Sequence, residues 1–582
     1  MPLGTFDRSE NLVSLSEGTY DVLVIGGGIT GAGVALDAAS RGLRTALVER
    51  DDFASGTSSK SSKLIHGGLR YLQNGDVRLV YEALRERQRL LRNAPHLVKV
   101  LPFLIPVFEG KGGIIPKRLA RALGSAMWMY DLTGGLRIGK RHRRLGRHAA
   151  LAHMPTLGER LAWAYLYYDA QADDARLTLT VARTAALDFG ATVVNHAAVT
   201  AIVKDGRGRV AGAVVDTDGS AGGGTGRQIE VRARIVVNAT GVWVDDVRAL
   251  DEGTHPRSIR PAKGIHIAVP WHKLRNDIAA VVPVRQDRRS VFVVPWLTPG
   301  GNGDQGDMDG GVGDGRVGDG RVTYVGTTDT DYDGDVDDPQ CTPEDVAYLL
   351  DAINHAISEP IEASDVLGTW AGLRPLVRDA SNSRTADLSR RHRIFASAGG
   401  MITVTGGKLT TYREMAEDAV DAAVRAMASS GEALSRRTRR SRTRSLALRG
   451  AAGWREASRR DAHLGGRYGG EAGVLEAMIA ADPTMAEPLV PGLPYRRAEA
   501  LYAARYEMAT TVDDVLSRRT RSRLLGRDAT AAAADDVAAL LASELGWSEA
   551  ERVAQVDRFR TALAHEREVP GLPEHVAVAG SG

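Results

Sequence analysis

Residues 20–25 (YDVLVI) are apolar apart from Asp21, and a glycine cluster, Gly26-x-Gly28-x-x-Gly31, follows at once. The run reads as a buried parallel strand, and the stretch after the cluster reads as a helix to about Ser40. A second strand, Arg44 to Glu49, closes a βαβ unit, with Glu49 lying 18 residues past Gly31. Glycines at that spacing permit a tight turn and close approach of a pyrophosphate to a helix N-terminus, and the carboxylate accepts from ribose hydroxyls. With strand, turn, helix and acidic residue in register, the chain is committed to an α/β dinucleotide-binding fold.

Two later elements indicate which dinucleotide. Asn238-Ala239-Thr240-Gly241 follows the apolar run Ile235 to Val237, at a distance typical of a second dinucleotide contact in FAD proteins. Gly406-Gly407-Lys408 precedes a helix expected over Leu409 to Met427. That helix N-terminus suits the pyrimidine edge of a flavin, where negative charge collects on reduction. One fingerprint near the N-terminus joined to both elements favours FAD over NAD.

Beside the fingerprint, Ser61 to Leu72 reads SSKLIHGGLRYL. It gathers Lys63, His66, Arg70 and Tyr71 around Gly67-Gly68. Two cations, an imidazole and a phenol suit an anionic substrate that must lose a proton. Within apolar GIHIAVP, His266 taken alone fits a core histidine as readily as a base. Arg374 before Pro375 fits a turn as readily as an anion site.

The other bulk features narrow the function. The chain has 582 residues and a net charge of +3, so no global field for nucleic acid is indicated. A lone cysteine, Cys341, rules out an intrachain disulfide and a cysteine metal site, and it fits a reducing cytoplasm. No signal peptide and no membrane-spanning run is legible. Asp329-x-Asp331-x-Asp333-Gly334 imitates the start of a calcium loop, but Gln340 stands where a bidentate Glu is needed, so no metal is expected. Residues 111–148 are strongly basic. Leu119, Leu123, Met127 and Tyr130 fall on one helical face there, which suits either an amphipathic segment on anionic lipid or a solvated basic helix.

The fingerprint, SSKLIHGGLRYL, Lys263-Gly264-x-His266, VFVVPW, Gly326-Thr327-Thr328-Asp329, Gly372-Leu373-Arg374-Pro375 and GGKLTTYR (406–413) occur in that order. Together they resemble FAD-dependent glycerol-3-phosphate dehydrogenase, closely over residues 20 to 425 and more loosely in the tail. That resemblance implies oxidation of sn-glycerol 3-phosphate to dihydroxyacetone phosphate, with electrons leaving FAD for a membrane quinone. It implies substrate contacts from Arg70, Tyr71, Arg374, Lys408 and His266. His266 is the preferred base, with His66 the alternative nearer the flavin. It implies cofactor contacts from Gly26, Gly28, Gly31, Glu49, Thr57, Ser58, Ser62, Lys63, Leu64, His66, Val199, Thr240, Gly241, Gly407, Lys408, Leu409 and Thr410.

The architecture expected is a Rossmann-like FAD-binding domain interleaved with a β-sheet substrate domain, plus an α-helical C-terminal domain. The core spans 1–430. Its FAD-binding segments are expected at about 20–100, 180–255 and 365–430, and its cap segments at 101–179 and 256–364, with a Gly/Asp-rich insertion at 299–320. A basic linker at 431–446 leads to helices over 447–582. The expected partners are the phosphate substrate, the quinone, an anionic membrane surface and a second copy of the chain, with no nucleic acid. The expected location is the cytoplasmic face of the membrane. Glycerol-3-phosphate oxidase, an amino-acid or amine oxidase, and an RNA-binding flavoprotein are the competing readings.

Overall fold

The computed structural model describes residues 6–68, 77–109, 127–128, 130–131, 134, 139–217, 227–284, 289–296, 321–378, 391–431 and 434–574. The apolar run at the start forms Thr19–Ile25, the centre of the first sheet. It pairs in parallel with Gln228–Asn238 on one side and Thr45–Val48 on the other. Ile402–Thr405 and Thr192–Val194 extend the parallel order outward, and Arg393–Ala396 closes one edge antiparallel. A parallel sheet is covered on its faces by crossover helices, so its strands read as continuous apolar runs. Helix Ile29–Ser40 is buried nearly all round, packed between Asp174–Phe189 and Tyr412–Ser429. This accounts for its lack of a polar face.

The glycine turn is made by geometry that side chains forbid. Gly26 sits at φ +107°, and a Cβ on Gly31 would fall 1.8 Å from the Gly26 carbonyl oxygen. The strand thereby hands directly to the helix, whose first amides face the carboxyl end of the sheet.

A second sheet, of ten strands among the described residues, stands beside the first. Near one edge of that sheet, Ile259–Pro270 is flanked antiparallel by Val322–Gly326 and Gly368–Val377. Val322–Gly326 pairs in turn with Ser290–Pro295, as expected of VFVVPW and its partner. Gly368–Val377, expected in a cofactor-binding segment, belongs to this second sheet. Its register with Ile259–Pro270 runs unbroken from Ile259↔Val377 to Ala268↔Gly368. The insertion 299–320 lies outside the described residues.

From Trp454 onward the chain is helical, ending in Glu549–Glu568. The stretch expected as a basic linker is packed against the first sheet's helices. There Ser441 and Thr443 hydroxyls donate to Asp37, and Arg444 pairs with Glu417. No helix among the described residues is long and apolar enough to cross a membrane.

Candidate active site

A cavity of about 330 Å³ opens at the carboxyl end of the first sheet. Gly26, Gly28, Ile29, Glu49, Thr57 and Ser58 line one part of it. Val199, Thr240 and Gly241 line another, and Gly407, Lys408 and Leu409 line a third. Both Glu49 oxygens are oriented by backbone amides, Gly27 N–H at 2.5 Å and Asp51 N–H at 2.9 Å. Burial pushes this carboxyl up, and the two amides oppose that shift. Ser58 Oγ accepts from the Ile29 amide at 2.9 Å, so the helix N-terminus opens beside a hydroxyl loop.

The donor set fits a flavin dinucleotide. A carboxylate stands where ribose hydroxyls need an acceptor, and helix-terminal amides stand where phosphate charge needs donors. A second helical start, Leu409–Thr411, faces the same space. Ala197, Trp243 and Pro375 also line the cavity, and sequence reading did not single out the first two. The Trp243 ring lies against Gly56. Its place two residues after Thr240-Gly241 is the only sequence signal it carries.

The remaining cofactor candidates sit elsewhere. Gly31 is inside its helix, against Gly26. Thr57 also donates its hydroxyl to the Leu373 carbonyl at 2.6 Å, tying the loop to the second sheet. Leu64 is a buried residue of a short strand paired with Leu161–Gln171. The His66 amide donates to Thr410 Oγ1 at 3.1 Å, and the His66 ring meets Phe292 edge-on. Arg70 and Tyr71 lie outside the described residues.

Ser62 and His266 meet directly, with 2.9 Å between Ser62 Oγ and His266 Nε2. The His266 ring stacks on Trp370, centroids 4.8 Å apart. Two glycines make room. A Cβ on Gly326, the cross-strand partner of His266, would fall 2.1 Å from its ring. A Cβ on Gly264, two residues before His266, would fall 2.4 Å from Arg374 Nη2. The Arg374 guanidinium therefore lies across the strand towards His266. Asp329 at 3.2 Å, Thr327 Oγ1 at 3.2 Å and the Thr328 carbonyl at 3.1 Å hold it there. In the calcium-like sequence, Asp329 and Asp331 are engaged with Arg374 and Arg260 respectively.

Burial, with Lys63 and Arg374 as neighbouring cations, holds the His266 imidazolium form well below the ordinary histidine range. His266 is therefore neutral, and a neutral ring is one that can accept a proton. Its Nδ1 is buried without a hydrogen-bond partner among the described residues.

Comparison with known proteins places this geometry. Residues 21–413 match the FAD dependent oxidoreductase family, and residues 441–552 match the C-terminal domain of alpha-glycerophosphate oxidase. The chain is 36% identical to glycerol-3-phosphate dehydrogenase 2 of Mycobacterium tuberculosis, over 99% of this chain and 93% of that protein. It is also 36% identical to the human mitochondrial glycerol-3-phosphate dehydrogenase, over 96% and 75%. A solved glycerol-3-phosphate dehydrogenase from Bacillus halodurans, complexed with FAD, superposes with a TM-score of 0.71 at 29% identity. That match covers 98% of this chain and 99% of the solved one. The chain belongs to the FAD-dependent glycerol-3-phosphate dehydrogenases.

Proposed function

We propose that the protein oxidises the secondary hydroxyl of sn-glycerol 3-phosphate to the ketone, giving dihydroxyacetone phosphate, and passes the electrons to a membrane quinone. The observation that carries the reading is the convergence of Arg374 and His266 across two paired strands. Pro375 and Lys408 meanwhile line the adjoining cofactor cavity. FAD, when bound, supplies the acceptor for hydride. The protein's part is to bind, orient and deprotonate.

Arg374 is suited to a phosphate dianion because its guanidinium is already oriented by Asp329 and Thr327. Lys408 adds charge from the helix start on the other side. His266 takes the hydroxyl proton. If its Nε2–H donates to Ser62 Oγ, the buried Nδ1 carries the lone pair, so Ser62 selects the tautomer that acts as base. Arrival of the dianion favours the imidazolium and draws the depressed basicity of His266 back towards neutrality.

The quinone reading rests on the basic face. Arg141, Arg143, Arg144 and Arg147 are exposed, and Trp128, which meets the neighbouring His142 ring edge-on, is 56% exposed. Cations with an interfacial tryptophan suit an anionic bilayer. The expected helix over 114–130 lies mostly outside the described residues. Oxygen is the rival acceptor, and the oxidase name on the C-terminal match keeps it in play. Turnover with glycerol 3-phosphate in air separates the two. Quinone reduction enhanced by anionic vesicles, with little peroxide, is expected. Stoichiometric peroxide with no quinone reduction would replace the reading with the oxidase.

A further inference from the structure

Lys63 stands in left-handed backbone, φ +57°, a conformation that a non-glycine residue keeps only where its surroundings hold it. Its ammonium donates to the carbonyls of Ser59 at 3.1 Å and Ser61 at 3.3 Å, and it pairs with Asp174 at 3.3 Å. Both charged side chains are almost completely buried. The same Asp174 oxygen accepts from the Ser61 amide at 3.0 Å and the Ser61 hydroxyl at 2.6 Å. The other oxygen faces Arg521 at 3.3 Å, and Arg521 also donates to the Ser59 carbonyl. Arg521 comes from the C-terminal helical part, is fully buried and is itself held at φ +116°.

The cluster reaches the reacting side chains by contact. The Lys63 ammonium lies 4.6 Å from the centre of the Trp370 ring, and that ring stacks on His266. Trp370 Nε1–H donates to the Ser61 carbonyl at 3.2 Å, and the Tyr324 hydroxyl donates to the Ser62 carbonyl at 2.9 Å. Ser59, Ser61, Ser62 and Lys63 are therefore each tied to this cluster, to the second sheet or to both. Ser62, the partner of His266, hangs between them.

We propose that Asp174 and Arg521 are positioning residues for the reaction. Acting through Lys63 and the 59–63 backbone, they fix Ser62 and Trp370 against His266, which makes the C-terminal helical part a structural component of the active site. The inference rests on the reading of His266 as base. Burial, opposed by Asp174, lowers the Lys63 ammonium to about 8, so its charge depends on that counter-ion. The charges facing Lys63 are Asp174, Asp173 and Arg521, and the cations facing His266 are Lys63 and Arg374. Removing the Asp174 charge lets Lys63 lose its proton more readily.

The test uses the FAD-loaded full chain carrying Asp174→Asn, Arg521→Lys or His266→Gln. Asp174→Asn is expected to lower kcat by roughly 10- to 10²-fold, the scale of a small misplacement at a reacting centre. KM should change little, and amide hydrogen exchange of the 57–65 peptide should quicken. Arg521→Lys, keeping the charge but losing the fork, should give the same signs with smaller size. It carries the test alone if Asp174→Asn does not retain flavin. Wild-type exchange and kcat in these variants, alongside a crippled His266→Gln, would overturn the positioning role. If His266→Gln turns over normally, the base assignment fails by itself. Slower turnover with faster loop exchange in Asp174→Asn would still support the positioning.

Discussion

His266 and Arg374 are 108 positions apart in sequence, and their roles depend on what each faces. Arg374 is fixed by Asp329 and Thr327 before any substrate arrives, so little ordering is left for binding. Arg374→Ala should therefore cost about 2–5 kcal/mol in kcat/KM, with most of the loss in KM. Near-normal steady-state kinetics in that variant would remove Arg374 from the phosphate site. Because the His266 imidazolium is disfavoured in the fold, the unfolded chain binds its proton more readily as pH falls. This residue's contribution to stability is thus lost on acidification below the ordinary histidine value of 6.5. His266→Gln should make the thermal midpoint less sensitive to pH between about 6.5 and 4.5, a range set by the unfolded histidine. An unchanged slope would contradict this. The residues proposed for these roles could be named from sequence, because a base and a phosphate cation ask for particular side chains. Their meeting was not. It depends on Ala262↔Arg374 register and on two glycines that clear space, and neither follows from local periodicity.

At the scale of elements, the strand–glycine–helix unit was the most legible part of the chain. Its requirements are local: a positive φ at Gly26 and backbone contact at Gly31. The second sheet was less legible, since its strands come from distant segments and Gly368–Val377 pairs back to Ile259–Pro270. Gly372 shows how tightly that sheet docks on the hydroxyl loop. A Cβ there would fall 2.3 Å from the Lys60 carbonyl oxygen, and backbone cannot yield as a flexible side chain does. Gly372→Ala is expected to destabilise the protein by roughly 1–3 kcal/mol, the usual scale of overpacking. It should also weaken flavin retention, because the displaced loop includes Thr57 and Ser58. Wild-type thermal midpoint and flavin content in this variant would show that the contact is not tight. The short strand at Leu64–Ile65 escaped sequence reading because two residues carry no period.

Across the whole molecule, buried charge joins the C-terminal helices to the cofactor half. Asp52 pairs with Arg518 and Arg519 at 2.6 Å each, and Asp514 pairs with Arg518 at 2.7 Å and His196 at 3.2 Å. Asp52, His196 and Asp514 are grouped closely enough for a metal, but their carboxylates are already met by these guanidinium groups. Burial opposes the charge on His196, yet Asp514 raises it overall, while the same pairing holds Asp514 well below the carboxylate range. The His196 contribution is complete below its ordinary value of 6.5 and is lost as pH rises through its folded value. His196→Gln should therefore reduce the fall in thermal midpoint on going from about pH 6 to 8, a window around the unfolded histidine value. An equal fall in both proteins would refute the contribution. None of this joint was legible from the sequence, where the arginines of 518–523 look like one more basic run. We propose that this cavity and the Arg374–His266 pair together serve the oxidation of a phosphate ester at bound FAD. Anaerobic mixing of the flavin-loaded protein with sn-glycerol 3-phosphate tests it most directly. Rapid bleaching of the oxidised flavin is predicted with the phosphate ester, little with glycerol, and little in Arg374→Ala at the same substrate concentration. A flavin that stays oxidised with glycerol 3-phosphate, or bleaches as readily with glycerol or an amino acid, would contradict it.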